Sequence, residues 1–334
     1  MAVRVGIVVL VAAFAAAAGA VSPAADAPDA GGAQRVRAKL DVSGQIFAPA
    51  AGDAEPPRQP IAVAARFDFL ETAAPAVEQE PQAAVVRRYD EAAAEVTVDG
   101  QSARMELPAE ARTLSVARLG TTPVPFLRGA FLSRDEAELL ETPFDSVLLD
   151  ELLPKEPVAV GATWQISGDV TAGLLAIDTV ETGSIEAKLV EAADGEAQVS
   201  LTGTVDGAVD GVPTHVVIDG TFTAPARQAE EDDRHLIEGR VAGVEVVLRE
   251  RRQASHVAPG FEVEARLDLD RAAAEEHERL EEEPIESLRR RGEGKPGMVW
   301  HREAEGRYDL VYDARWRIVE DGASGLVLRL VDHG

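Results

Sequence analysis

Residues 182–222 read TGSIEAKLVEAADGEAQVSLTGTVDGAVDGVPTHVVIDGTF, three segments of alternating apolar and polar residues separated by turn signals. Two further segments of the same kind carry the pattern to Asp270, and period-two alternation of this length predicts an antiparallel β-meander. The apolar registers are Gly183, Ile185, Ala187 and Leu189; Ala197, Val199, Leu201, Gly203 and Val205; Thr214, Val216, Ile218, Gly220 and Phe222; Ile237, Gly239 and Val241; and Phe261, Val263, Ala265, Leu267 and Leu269. The residues between them are mostly charged or hydroxylated, so one sheet face is dry, one is wet, and only the dry one needs a cover.

Loop parity supports these registers. Odd positions 183–189 face odd positions 199–205 only across an odd loop, which Ala193-Asp194-Gly195 supplies with Gly at the left-handed position. The next strand carries its apolar residues on even positions and needs an even loop, which Asp210-Gly211 provides. In the fourth segment the register passes from odd (Ile237, Val241) to even (Val244, Val246, Leu248), and a β-bulge near Gly243 is the expected device.

Gly183, Gly203, Gly220 and Gly239 all fall in apolar registers, and glycine inside a strand marks a bend or a close approach. Together with Ile185, Leu201, Ile218 and Phe222 they form the candidate ligand-facing set. Two readings stand side by side: a concave, partly hollow face that takes an apolar ligand, or a curved sheet filled by the protein's own helices.

The chain has 334 residues and a formal charge of -26, with aromatics at 4%. Such a charge repels nucleic acid and anionic membrane surfaces, and scarce aromatics argue against base-stacking platforms. Residues 1–20, with Arg4, an apolar run from Val5 to Ala18 and a small-residue Ala18-Gly19-Ala20 site, read as a secretory signal peptide. With no cysteine there is no disulfide and no lipidated thiol. The expectation is an exported mature chain without a membrane span, periplasmic or extracellular.

Residues 21–34 read as a disordered tether rich in Ala, Pro, Asp and Gly. A curved β domain is expected over 35–270, opening with strands at Val36–Val42 and Ile61–Phe69 and shorter ones at Val85–Tyr89, Ala94–Val98 and Leu114–Arg118. Its helices lie near 134–153. Ser133 and Glu136 form a capping box, with Leu132 able to staple onto Ala137, and Thr142-Pro143 opens a second helix with Phe144, Val147, Leu148 and Leu152 along one face. A charged helical linker is expected over 271–297, followed by a C-terminal β-hairpin at 298–334 that is either the start of a truncated domain or docked on the first one, because two or three strands alone are marginal. The fold class is therefore mainly β (α+β), a curved meander or half-barrel covered by one or two helices.

The run Leu152-Leu153-Pro154 through Val158-Ala159-Val160-Gly161-Ala162-Thr163-Trp164 resembles an element of uncharacterised exported bacterial proteins, a Leu-Pro segment and Val-x-Val-Gly-x-x-Trp leading into a meander. That resemblance implies a half-barrel similar to the lipoprotein-localisation-factor fold, whose members carry acyl chains. Gly306-x-Tyr308 to Trp316 resembles the opening hairpin of PsbP-type domains.

Catalytic motifs do not assemble. His277-Glu278-Arg279-Leu280-Glu281 ends in Glu where a zinc helix needs its second His. Asp206, Asp210 and Asp219 lack the spacing of a calcium loop. Gly322-Ala323-Ser324-Gly325 is one residue short of a nucleophile elbow, and Gly292-Glu293-Gly294-Lys295 lacks the Ser or Thr of a phosphate loop. Ser255-His256 adjacency defines no pair. No catalytic, cofactor-binding or metal-binding residue and no cofactor is expected. The expected role is non-catalytic binding or scaffolding in the cell envelope, with an apolar ligand or an envelope protein as partner; a structural interaction module and a hydrolase on a β scaffold are the alternatives.

Overall fold

Every alternating segment finds an antiparallel neighbour, and the N-terminal strands join the same sheet as the meander. The computed structural model describes residues 32–48, 57–74, 83–229, 233–255, 259–275, 294–303, 305–322 and 325–330. The signal peptide, most of the tether and residues 276–293 of the expected linker lie outside them.

In chain order the strands are β1 (Gln34–Phe47), β2 (Arg58–Ala73), β3 (Ala83–Val98), β4 (Gln101–Glu106), β5 (Thr113–Leu119), β6 (Thr122–Phe126), β7 (Leu132–Ser133), β8 (Val158–Ala159), β9 (Thr163–Gln165), β10 (Thr179–Ala193), β11 (Glu196–Val209), β12 (Val212–Gln228), β13 (Arg234–Ile237), β14 (Gly243–Arg252) and β15 (Gly260–Ala273). Then follow β16 (Met298–Arg302), β17 (Asp309–Asp313), β18 (Trp316–Gly322) and β19 (Gly325–Leu330). The α-helices are α1 (Arg134–Leu140) and α2 (Gly168–Leu175). The fold is mainly β, as expected.

The main sheet runs β6-β5-β3-β2-β1-β15-β14-β12-β11-β10-β9. It is two meanders joined edge to edge where β1 pairs with β15, with Leu40 opposite Leu267 and Ile46 opposite Phe261. In sequence the segment between the meanders is residues 127–178, which contains both helices. α2 touches β10 near one end of the sheet and β6 at the other, so the sheet curls around this connecting segment. At Gly173 a Cβ would collide with the Thr121 carbonyl oxygen, and glycine there lets α2 sit against the β5–β6 turn.

Ser133 caps α1 with the expected reciprocal bonds: Glu136 N–H donates to Ser133 Oγ at 3.2 Å and Ser133 N–H to Glu136 Oε2 at 2.7 Å. Asp210-Gly211 closes β11 onto β12 with Val209 opposite Val212.

Several expectations are corrected. The β10–β11 turn has two residues, Asp194 and Gly195, both at positive φ, with Ala193 paired to Glu196. The odd residue sits instead at a bulge between Leu189 and Glu191, which turns Val190 outward. The parity change in the fourth segment is no bulge: the chain leaves the sheet after Ile237 and re-enters at Gly243, β13 and β14 pairing with different stretches of β12. The strands expected at 85–89 and 94–98 are one strand, β3, bent by a register shift opposite Asp68 and Phe69. β15 continues past Asp270 to Ala273.

The second expected helix, from Thr142, does not form; only a 3₁₀ turn spans Leu149–Leu152. Phe144 adopts φ 54°, and its N–H donates to the Leu174 carbonyl at 2.7 Å rather than within a helix. The second helix is α2, capped by Ser167. At the C-terminus, β16 pairs with β17 and, in parallel, with β7, while Val299, Tyr312 and Ala314 belong to the main core. The C-terminal strands are docked on the body.

Candidate binding face and the segment that fills it

Of the candidate ligand-facing residues, Ile185, Leu201, Ile218 and Phe222 lie together on the dry face and are at most 2% exposed. Gly203 and Gly220 are half-buried in the same rows, Ile185 opposite Gly203 and Leu201 opposite Gly220. Their missing side chains do not leave open volume. A Cβ on Gly203 would strike the Ser184 carbonyl oxygen and lie 3.1 Å from the Ile185 Cα; on Gly220 it would strike the Glu245 carbonyl oxygen and lie 2.9 Å from the Val246 Cα. Gly183 is exposed, at φ 88°, beside a bulge. Gly239 is exposed in the connection after β13, outside the strands.

The chain itself covers the apolar rows. Phe144, Leu148, Leu149, Leu152 and Leu174 have no exposed surface, and they share one hydrophobic cluster with the inward residues of both meanders. Trp164, from the Val-x-Val-Gly-x-x-Trp element, donates its indole N–H to the Leu152 carbonyl at 2.9 Å, and Gly161, at φ 88°, donates its N–H to the Leu189 carbonyl at 2.7 Å. The element thus fastens the end of residues 144–152 to the edge of the meander.

Two inward-facing arginines hold the same segment. Arg87, in the register of Tyr89 on β3, donates to Asp145 through Nη2 at 2.6 Å and Nη1 at 2.9 Å, to Glu71 through Nε at 2.8 Å and to Ser146 Oγ at 2.8 Å. Ser146 in turn donates to Glu71 at 2.6 Å. The guanidinium stacks over the Phe69 ring at 4.9 Å. Arg87, Glu71, Asp145 and Ser146 are all buried. Burial works against the Arg87 charge, yet Asp145, Tyr89 and Glu71 outweigh it and hold the guanidinium pKa well above its ordinary value; burial pushes the Tyr89 hydroxyl up to about 12. Arg271, opposite Val36 on β15, donates to Asp150 at 3.0 Å and to the Ser146 carbonyl at 2.7 Å. Asp150 also accepts the Val241 N–H at 3.0 Å.

Sequence reasoning missed both arginines, although each continues an apolar register (Val85, Arg87, Tyr89; Leu267, Leu269, Arg271). A cation at an inward position is the signal that finds them, because a buried charge requires a partner. The Ser146–Glu71 hydroxyl–carboxylate pair has the composition of an activated nucleophile, but both groups are committed to Arg87 inside the core.

At the seam where α1, α2 and β6 meet lies a cavity of about 30 Å³, lined by Thr122, Leu140, Glu141, Asp145, Gly173 and Ile177 among others, which has room for a water molecule and not for an acyl chain. Beside it four carboxyl groups gather: Glu138, Glu141, Asp178 and Asp210. Burial pushes Glu138 upward against the pull of Arg134. Burial, with Glu138, Asp210 and Asp178 nearby, pushes Glu141 well above the carboxylate range, and burial brings Asp178 up to about 7.

On the wet face a shallow trough of about 450 Å³ crosses β12, β14, β15 and β1, with Thr221, Glu245, Asp268 and Lys39 in one cross-strand row. Among the described residues no group of three His, Cys, Asp or Glu could hold a metal ion, and no helix is long and apolar enough to cross a membrane. Asp206 pairs with His215 at 2.7 Å on the exposed face, Asp210 bonds Arg317, and Asp219 lines the trough. His277 to Glu281, Gly292 to Glu293, Ala323-Ser324 and His256 lie outside the described residues.

No family model and no curated protein matches the sequence. A solved structure titled "Lipid-protein interactions in lipovitellin" overlaps 74% of this chain at 8% identity with a TM-score of 0.34. The chain spans 26% of that structure's chain, and an overlap this loose transfers neither fold family nor ligand.

Proposed function

We propose that this chain is a non-catalytic cell-envelope protein, exported through its N-terminal leader, that acts as a scaffolding or protein-interaction module rather than as a carrier of apolar ligands. The observation that carries this reading is the filling of the dry face by the chain's own residues 144–152 and α2. Carriage would require expelling Phe144, Leu148, Leu149, Leu152 and Leu174 from it. Each buried side chain of this size is worth about 1.5–3 kcal/mol, so the five together amount to roughly 8–15 kcal/mol, the whole stability of an ordinary domain. The charge of -26 steers the module away from nucleic acid and toward neutral or basic partner surfaces.

Titration of the purified protein with a fluorescent fatty acid tests the reading. No saturable uptake is expected. Stoichiometric, saturable binding would overturn it in favour of the acyl-chain carrier.

A further inference from the structure

The C-terminal ribbon of β18 and β19 is a separate two-stranded sheet, and a ribbon of that size has little stability of its own. β18 is its inner strand. Arg317 reaches Asp210, in the β11–β12 turn, at 2.7 Å and Glu138 on α1 at 3.3 Å, and Asp321 accepts the Tyr308 hydroxyl at 2.7 Å. β19 is the outer strand. Leu328 packs against the core, but the far edge of β19 pairs with no other strand among the described residues. A free edge presents a row of unpaired backbone N–H and C=O groups, a template for a further strand.

Other sheet edges of the chain are guarded. β6, at one end of the main sheet, carries Pro123 and Pro125. β9, at the other end, is three residues long, and β10 beside it is interrupted by register shifts at both of its ends. β17 is flanked by Asp309 and Asp313. Prolines, short strands, bulges and charges are the devices that stop strand addition. β19, Gly-Leu-Val-Leu-Arg-Leu over 325–330, has no proline and a single charge. Among the described residues, the exposed large apolar side chains also gather on the ribbon: Trp316, Val319, Val327 and Leu330, against Val160, Val190 and Val311 in the rest of the chain.

Arg329 indicates what kind of strand fits. It stands opposite Arg317 on β18, and like charges directly opposed disfavour a pairing. Asp210 and Glu138 take up the Arg317 charge, whereas Arg329 is exposed and has no carboxylate partner among the described residues. An antiparallel strand added to β19 sets one residue directly across from Arg329, with Cβ atoms about 4.5–5.5 Å apart. A Glu or Asp there supplies the missing charge, and its two neighbours fall opposite Leu328 and Leu330.

We propose that β19 is a strand-addition site for an extended segment of another protein, with a carboxylate opposite Arg329 and apolar residues opposite Leu328 and Leu330. Main-chain pairing supplies affinity and the alternate side chains supply selection, as in other strand additions. The proposal rests on the interaction-module reading and gives it a surface. A second copy of this chain is the poorer occupant, because two bodies of charge -26 repel each other.

The full chain titrated with the fluorescein-labelled peptide Ser-Val-Glu-Val-Thr-Val-Ser tests the site. Binding should be saturable, with one peptide per chain, and about tenfold tighter than for the same peptide with Lys in place of Glu, since an opposite charge then replaces a like one across the strands. General attraction to an acidic protein would favour the Lys peptide instead. The variant Arg329→Glu, at an exposed side chain, should reverse the preference. Hydrogen exchange with the peptide bound should add protection within residues 325–330 and none within 185–222. No saturable binding, equal or inverted affinity for the two peptides in the wild type, a preference unchanged in Arg329→Glu, or protection added elsewhere overturns the proposal. So does self-association that the peptide displaces, which would make a second copy the occupant. Saturable fatty-acid uptake in the preceding titration would overturn the module reading whatever the peptide does, whereas failure of the peptide alone removes only this surface.

Discussion

Arg87 on β3 grips Asp145, 58 positions further along the chain, by two hydrogen bonds of 2.6 and 2.9 Å inside the core. The contact ties the connecting segment to the N-terminal meander, as Arg271–Asp150 ties it to the other.

Removing one partner of a buried pair strands the other. Arg87→Met leaves Glu71 and Asp145 uncompensated and should cost about 3–5 kcal/mol, as breaking such pairs does. Denaturant titration measures it. Adding Glu71→Gln and Asp145→Asn to Arg87→Met should recover part of the loss, since the stranded charges are then gone; an additive, larger loss would mean that the network contributes through its shape alone.

Gly203 sits where the neighbouring strand's backbone occupies the space of a side chain. Gly203→Leu should therefore destabilise the fold by at least the roughly 1–3 kcal/mol typical of overpacking. A melting temperature equal to that of the wild type would show that the position opens on free space.

The raised carboxyl groups set the sign of the pH dependence. Asp178, near 7 in the folded chain against an ordinary value of 3.8, binds a proton in the native state that the unfolded chain has already lost between those values. Its contribution to stability is complete below about pH 4 and disappears as pH rises through 7, with a slope of up to about 1.4 kcal/mol per pH unit. Glu141 and Glu138 act in the same direction. Glu303, held down to about 2 by Arg307, acts oppositely and only in acid, its contribution present above its unfolded value and lost as pH falls toward 2. Thermal unfolding should thus give a higher melting temperature near pH 5 than at pH 8, and Asp178→Asn should flatten the difference. A maximum at pH 8 would contradict this sign.

The leader reading predicts a mature chain beginning at Val21. Intact-mass measurement of protein recovered from the periplasm checks it, and recovered protein that retains Arg4 would contradict both cleavage and a free mature chain.

Much of the sheet was legible because its causes are local. Alternation placed β10 to β12 and β15, and the Ser133 capping box and the Asp210-Gly211 turn behaved as their chemistry requires. What escaped depends on partners distant in sequence. That β1 would pair with β15 is written in no single strand. The helix signal of Thr142-Pro143 is overridden by distant partners: Phe144 bonds Leu174 and Asp145 bonds Arg87. Gly203 and Gly220 were recognised as close-approach positions, but sequence could not decide whether ligand or backbone makes the approach.

Residues 144–152 are held as a fixed part of the core, with Phe144, Leu148, Leu149 and Leu152 fully buried. Hydrogen exchange of the bonded amides of Phe144, Leu148 and Leu153 measures how firmly they are held. They should exchange only through global unfolding, with the same opening free energy as the slowest amides of β11 and β12. Exchange through a local opening several kcal/mol below the global value would contradict it, and would make this segment a lid over a face that can empty.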